Sequence, residues 1–223
     1  MKKYISFFIF LFGFTPLFSQ DKVDSLFKEI NKWQKKTGVA ADTNLYNIYY
    51  QLGKIFQNSN PDTAIYYLDK SIVYAKQQKD KLKEGESIRN QGWCFYLKGD
   101  SEKAIQYYNQ VLTIVEVEDG KERKKEKVKQ LQAATIINIG TVYHNKGDYS
   151  KALDNYFKAL KINEELGNKQ YQAVNLGNIG LVYSNQDDDS KALEYYFKAL
   201  KINEEIGNKQ YQAAILGNIG IIS

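Results

Sequence analysis

Residues 150–180 and 190–220 are almost one sequence written twice. Aligned at a spacing of 40, they differ only at Asp154/Glu194, Asn155/Tyr195, Leu166/Ile206, Val174/Ala214 and Asn175/Ile215. A chain built of repeated units this short has no single closed core, because each unit must bury its apolar face on its neighbours. Weaker copies lie upstream. Asn138-Ile139-Gly140 takes the place of Asn178-Ile179-Gly180, and Asn90-Gln91-Gly92 matches it 48 residues earlier. The eight extra residues fall in a basic stretch around Lys121 to Lys129. A further unit is recognisable from Ala64, which lies 40 residues before Ala104, with Leu52 in the glycine position.

Within a unit, the residue types predict a helical hairpin. Ile136, Ile137, Ile139, Val142 and Tyr143 recur at helical spacing between Ala133 and Asn145. Gly147-Asp148 breaks that helix, and Asp148 or Ser150 can cap the next. Ala152, Leu153, Tyr156, Phe157, Leu160 and Ile162 trace a second amphipathic helix that ends at Gly167-Asn168. Small residues at Gly140 and Ala152 let paired helices approach closely, and Tyr143 and Tyr156 fill the space around them. Such packing accounts for the 18 tyrosines without any chemistry.

The order small, aromatic, small, aromatic, small resembles the tetratricopeptide repeat family. It reads Gly140, Tyr143, Ala152, Tyr156, Ala159, and again Gly180, Tyr183, Ala192, Tyr196, Ala199. Gly92, Phe95, Ala104, Tyr108, Val111 is a weaker copy, and Leu52, Ile55, Ala64, Leu68, Ser71 a degenerate one. The 40-residue period and the absence of a repeat-ending proline are similar to the long-repeat branch of that family. The resemblance implies an all-α fold, a right-handed superhelical solenoid of antiparallel helix pairs with the first helix of each pair lining the concave side. Units are expected near residues 45–78, 85–118, 133–166 and 173–206, with a truncated one from 213. Residues 20–41 are expected to form a leading helix, with Leu26, Phe27, Ile30 and Trp33 capping the stack. The chain stops just past Gly220, where a second helix is expected, which suggests the N-terminal piece of a longer protein.

Lys2 and Lys3 precede a mostly apolar run from Tyr4 to Phe18, too short to span a bilayer as a helix. Residues 1–19 read as a secretory signal peptide, so the protein is expected to be exported to the periplasm or cell envelope. An uncleaved N-terminus or a following C-terminal part would instead tether it to a membrane. Without those two lysines the net charge falls from +5 to +3, which equals the excess between Asp119 and Lys129. Bases confined to one insert and interleaved with acids are unlike the phosphate-tracking face of a nucleic-acid binder. The insert reads as a solvated helical extension, and no nucleic acid is expected as a partner.

One histidine and one cysteine exclude a zinc site assembled within a single copy. Neither His144 nor Cys94 sits in a nucleophile motif, and Cys94, within Trp93-Cys94-Phe95-Tyr96, reads as a buried small hydrophobe. Asp187-Asp188-Asp189 fails the EF-hand pattern, because Ala192 and Lys198 fall where Gly and Glu are required. Gly177-Asn178-Ile179-Gly180 lacks the strand-then-helix setting of a phosphate loop. No catalytic, metal or cofactor residues are assigned.

The best candidate site is a ladder of side chains. Asn90, Asn138, Asn178 and Asn218 share one place in four successive units, although Asn is a mediocre helix former. The resemblance implies that these amides line the concave groove and hydrogen-bond the backbone of an extended peptide, whatever its sequence. The alternative is that they tie neighbouring helices together. Arg89, Trp93 and Tyr96, then Ile137, Thr141, His144 and Asn145, are expected beside them, and Trp, Tyr and Arg are common binding anchors. The function expected is a non-catalytic scaffold binding a peptide or protein segment. Two rivals are the extracytoplasmic sensor part of a longer signalling protein (a histidine kinase or helix-turn-helix regulator) and a purely structural adaptor.

Overall fold

The computed structural model describes residues 20–116 and 122–222, all helices and short turns. The proposed signal peptide lies outside the described residues. The helices are α1 (Gln20–Trp33), α2 (Val39–Phe56), α3 (Pro61–Gln77), α4 (Lys81–Leu97), α5 (Ser101–Glu116), α6 (Glu122–Asn145), α7 (Tyr149–Glu165), α8 (Lys169–Asn185), α9 (Asp189–Glu205) and α10 (Lys209–Ile222). Each packs on its neighbours in the chain, most extensively in the pairs α2/α3, α4/α5, α6/α7 and α8/α9. The architecture is an all-α solenoid of antiparallel helix pairs.

Tight turns make this possible. Asp148 ends the α6–α7 turn by accepting a hydrogen bond from Lys151 N at 3.2 Å, and Asp188 does the same for Lys191 N at 3.1 Å. Caps of this type are worth about 1 kcal/mol each. The residue before each cap must enter the left-handed region: Gly147 has φ 75° and Asp187 has φ 58°. Asp187 therefore does the job of a glycine, and Asp188 that of a helix cap.

Within each pair the packing is set by a glycine and a large side chain across from it. A Cβ on Gly92 would stand 2.6 Å from the Tyr108 ring, and one on Gly180 2.7 Å from that of Tyr196. Ala104, Ala152 and Ala192, which face these contacts, have no exposed surface. In the first hairpin the close approach has shifted by one residue. Leu52, which aligns with Gly92, is wholly buried, while Gly53 is the residue that meets Leu68, at 2.6 Å from a built Cβ. The first unit has leucine at position 68 where later units carry tyrosine, so the contact is made by a different neighbour.

The extra residues of the third unit lengthen α6, which starts at Glu122. Lys125, Glu126 and Lys127 are exposed, but Val128 and Leu131 are buried against Ile88, Val111 and Val115. The extension is thus amphipathic rather than solvated all round. At the other end of the chain, α1 lays Val23 and Ile30 on Leu45, Ile48 and Tyr49 of α2. On α10, Tyr211 and Ile215 are buried while Leu216 and Ile221 are exposed. Among the described residues no helix is long and apolar enough to cross a membrane.

Candidate functional site

The first helices of successive pairs lie side by side and form a shared face. A cleft of about 260 Å³ opens on it, lined by Tyr50 of α2, Glu86 and Arg89 of α4, Lys127, Gln130, Leu131 and Ala134 of α6, and Tyr171 of α8. Four successive units contribute to one depression because their first helices run in register.

Polar groups around Arg89 are arranged with care. Asn90 Nδ2 donates to the Tyr50 hydroxyl at 3.1 Å and to the Glu86 carbonyl at 3.0 Å. Tyr50 accepts that bond, so its own O–H remains available to donate. Tyr46 donates to Glu86 Oε2 at 3.3 Å, which holds the carboxylate on the α2 side of the cleft. The Nε of Arg89 is buried and has no hydrogen-bond partner among the described residues. Burial pushes the Tyr50 hydroxyl above its ordinary pKa, and the Arg89 guanidinium acts against that shift. Burial, with the Arg89 charge adding to it, lowers the pKa of Lys54. A carboxylate or peptide carbonyl entering here would meet two cationic side chains of the lining, Arg89 and Lys127. No nucleophile stands beside a base in this cleft, and no group of three or more His, Cys, Asp or Glu side chains among the described residues could hold a metal ion.

The asparagine series does not behave as one ladder. Asn90 is buried and committed to Tyr50 and its own helix. Asn138 is half-buried and faces the Tyr108 hydroxyl, although no hydrogen bond of ordinary geometry reaches that oxygen. Asn178 is half-buried and its amide makes no hydrogen bond among the described residues. Asn218 is buried with its Nδ2 unpartnered. Of the predicted site residues only Arg89 lines the cleft; Asn90 reaches it through its bond to Tyr50, and Asn138, Asn178 and Asn218 do not line it.

Trp93, Tyr96, His144 and Asn145 lie toward the C-terminal ends of the first helices, where they link units. Asn145 donates to the Tyr96 hydroxyl, and one unit later Asn185 Nδ2 lies 2.7 Å from His144 Nε2. Those two contacts join equivalent positions, so they form a repeating inter-unit rung. Burial lowers the His144 pKa and raises that of Tyr96. The Trp93 ring packs on Tyr96 at 5.0 Å between centroids, and its Nε1 points to Asn58 Oδ1 at 3.5 Å. Thr141 accepts from the Tyr156 hydroxyl at 3.2 Å and donates to the Ile137 carbonyl at 3.0 Å, so it serves the hairpin core. Ile137 itself is buried. Cys94 is fully buried, and burial pushes its thiol pKa up to about 12.

Sequence reasoning passed over Glu86, Lys127, Gln130 and Tyr171. Repeat register carried a usable signal for two of them: Glu86 and Ala134 are equivalent positions, as are Leu131 and Tyr171, and all four line the cleft. Lys127 was hidden inside the basic insert.

Three solved structures share this geometry. RapI in its apo form superposes with a TM-score of 0.68 at 20% identity, over 91% of this chain and 53% of RapI. A signal transduction ATPase with a tetratricopeptide repeat sensor from Pyrococcus horikoshii gives 0.72 at 18% identity, over 90% and 30%. A Rap protein complexed with competence and sporulation factor gives 0.56 at 14% identity, over 90% and 58%. At such identities the likeness shows the fold, and the chain spans about half the length of RapI and of that Rap protein. Among curated proteins no match was found. The tetratricopeptide repeat family model matches residues 44–116 and 131–205, most of the described chain, and the protein belongs to that family.

Proposed function

We propose that the chain is a non-catalytic scaffold that captures a peptide or protein segment on the face formed by its first helices. The observation that carries this reading is the cleft itself, to which four successive first helices contribute and which Arg89 and Lys127 line with positive charge. Asn138 and Asn178, further along the same face, would extend the contact to a peptide backbone. The Rap protein crystallised with competence and sporulation factor gives the reading support, as a similar fold seen with a bound factor. Peptides selected from a random display library against this chain should lose at least tenfold in affinity on Arg89→Ala, as loss of a buried charged hydrogen bond predicts. Helix content should be unchanged. Peptides indifferent to Arg89→Ala and to the Asn138→Ala/Asn178→Ala pair would reject the site.

A second reading is the sensor part of a longer, exported signal-transduction protein. Its support is the Pyrococcus horikoshii ATPase, whose tetratricopeptide repeat is described as a sensor. Export itself rests on residues 1–19 and is tested by N-terminal sequencing of the protein recovered from the cell envelope, which should begin after Ser19.

A further inference from the structure

A second cleft, of about 360 Å³, lies on another face, between the second helices α5 and α7 with α6 as its floor. Ile105, Leu112, Ile136, Ile139 and Tyr143 supply its apolar lining, while Asn109, Asn155, Lys151, Asp154 and Lys158 supply a polar one. The repeat explains why it is open. In the next unit the position of Asn155 is Tyr195, whose ring stacks on Tyr183 at 5.5 Å and meets Phe157 at 6.0 Å. In the preceding unit it is Tyr107, packed on Phe95 at 4.8 Å, and in the first it is Tyr67, packed on Phe56 at 5.8 Å. Three units thus seat a tyrosine against an aromatic ring of the paired first helix. The third unit supplies the receiving ring, Tyr143, and the covering lysine, Lys151, whose Nζ is 5.1 Å from the ring centre. It lacks the tyrosine. Asn109, in the place of Phe157, removes the second aromatic wall.

Charge changes at the same spot. Lys198 is paired with Glu194 at 2.6 Å and lies over Tyr195 at 4.8 Å. Its counterpart Lys158 faces the shorter Asp154, and the two make no ion pair among the described residues. Two of the five differences between the near-identical units, Asp154/Glu194 and Asn155/Tyr195, therefore fall on this cleft, one emptying it and the other freeing a cation at its rim.

We propose that the α5–α7 cleft is a docking site for a tyrosine or phenylalanine side chain of a partner peptide, flanked by carboxylates that pair with Lys158. The entering ring lies on Tyr143 as Tyr195 lies on Tyr183, and the Asn109 and Asn155 amides meet the peptide's polar atoms. The proposal is independent of the Arg89 cleft, which lies on the first-helix face.

The test uses the peptide acetyl-Glu-Glu-Tyr-Glu-Glu-amide and the whole chain, followed by amide NMR shifts and calorimetry. Binding should perturb residues of α5 and α7, and replacing the peptide's tyrosine by alanine should abolish it. Asn155→Tyr, which installs the residue the flanking units carry, should fill the cleft, weaken binding at least tenfold and leave the melting temperature equal or higher. Lys158→Gln should weaken it about two- to fivefold, as expected for an exposed ion pair. Arg89→Ala should leave it unchanged, so failure here and failure of the first-helix site are separable. Undiminished binding to Asn155→Tyr, shifts confined to the first-helix face, or no binding up to about 1 mM peptide, the weak limit for a single anchored side chain, would overturn the proposal.

Discussion

Gly140 and Tyr156 fit so closely that a Cβ built on the glycine would stand 2.7 Å from Tyr156 Cε1. The contact lies between α6 and α7, and its equivalents recur at Gly92 with Tyr108 and Gly180 with Tyr196. Gly217, in contrast, has no atom near its absent side chain. Alanine favours a helix over glycine by about 1 kcal/mol, but a methyl forced into a packed core costs about 1–3 kcal/mol. Gly140→Ala should therefore lower the melting temperature, and Gly217→Ala should hold or raise it. Thermal denaturation of the two variants checks the contrast.

The hydroxyls of the same tyrosines separate two cases. Tyr156 donates to Thr141 at 3.2 Å, whereas the Tyr108 hydroxyl is buried without a hydrogen-bond partner among the described residues. Losing a satisfied hydrogen bond costs about 0.5–1.5 kcal/mol, while removing an orphaned polar atom recovers desolvation of similar size. Tyr156→Phe should destabilise and Tyr108→Phe should be neutral or stabilising, read as shifts of the urea midpoint at constant slope.

Much of this architecture is legible in the sequence because periodicity reports packing. Gly140, Ala152 and Tyr156 are recognisable as a set because the same three types recur 40 residues on and meet the same neighbours. Asp148 could be read as a cap because its side chain acts on its own next turn. What the sequence could not show is where polar groups find partners across units. Asn90, Asn138, Asn178 and Asn218 are one residue type in one register, yet Asn90 bonds a tyrosine at position 50 and Asn178 makes no hydrogen bond among the described residues. Their environments differ because the units before them differ. The Arg89 cleft was hidden for the same reason: its walls come from four helices, and Lys127 enters only because the insert lengthens α6.

Asp187 carries a left-handed φ of 58° at the turn where the preceding unit has Gly147. A non-glycine residue there is strained by roughly 1 kcal/mol, somewhat less for aspartate. Asp187→Gly should stabilise the chain by about 0.5–1 kcal/mol, offset in part by the greater entropy of glycine when unfolded. The reciprocal Gly147→Asp should destabilise by a similar amount. Equal and opposite shifts in melting temperature would establish that the turn, rather than the triple-aspartate charge, governs this site.

Alkaline conditions should unfold the chain earlier than a tyrosine-poor helical protein. Burial pushes the hydroxyl of Tyr211 from 10.0 up to about 12, and those of Tyr46, Tyr108, Tyr156 and Tyr196 upward as well. Below pH 10 these groups are protonated in both states and the stability they support is intact. Above it the unfolded chain ionises first, so stability falls as pH rises through the folded value, by about 2–3 kcal/mol for Tyr211 alone. The urea midpoint should drop steeply between pH 10 and 12. Tyr211→Phe should lessen that slope.

His144 should act in the opposite direction. Its Nε2 lies 2.7 Å from Asn185 Nδ2, a contact that a neutral ring protonated on Nδ1 accepts. Burial, the largest influence, holds its pKa below the ordinary 6.5. The unfolded chain therefore takes up the proton first, and the stability contributed by this rung is present above pH 6.5 and lost as pH falls through the folded value. NMR titration of the single histidine should give a midpoint below 6.5. Asn185→Ala should move that midpoint upward, because the neutral ring loses its donor, and should loosen the joint between α6 and α8, seen as faster amide exchange in α8 than in α4. An unchanged midpoint in Asn185→Ala would show that burial, opposed by the Asn145 hydrogen bond, sets the histidine and that the rung contributes nothing.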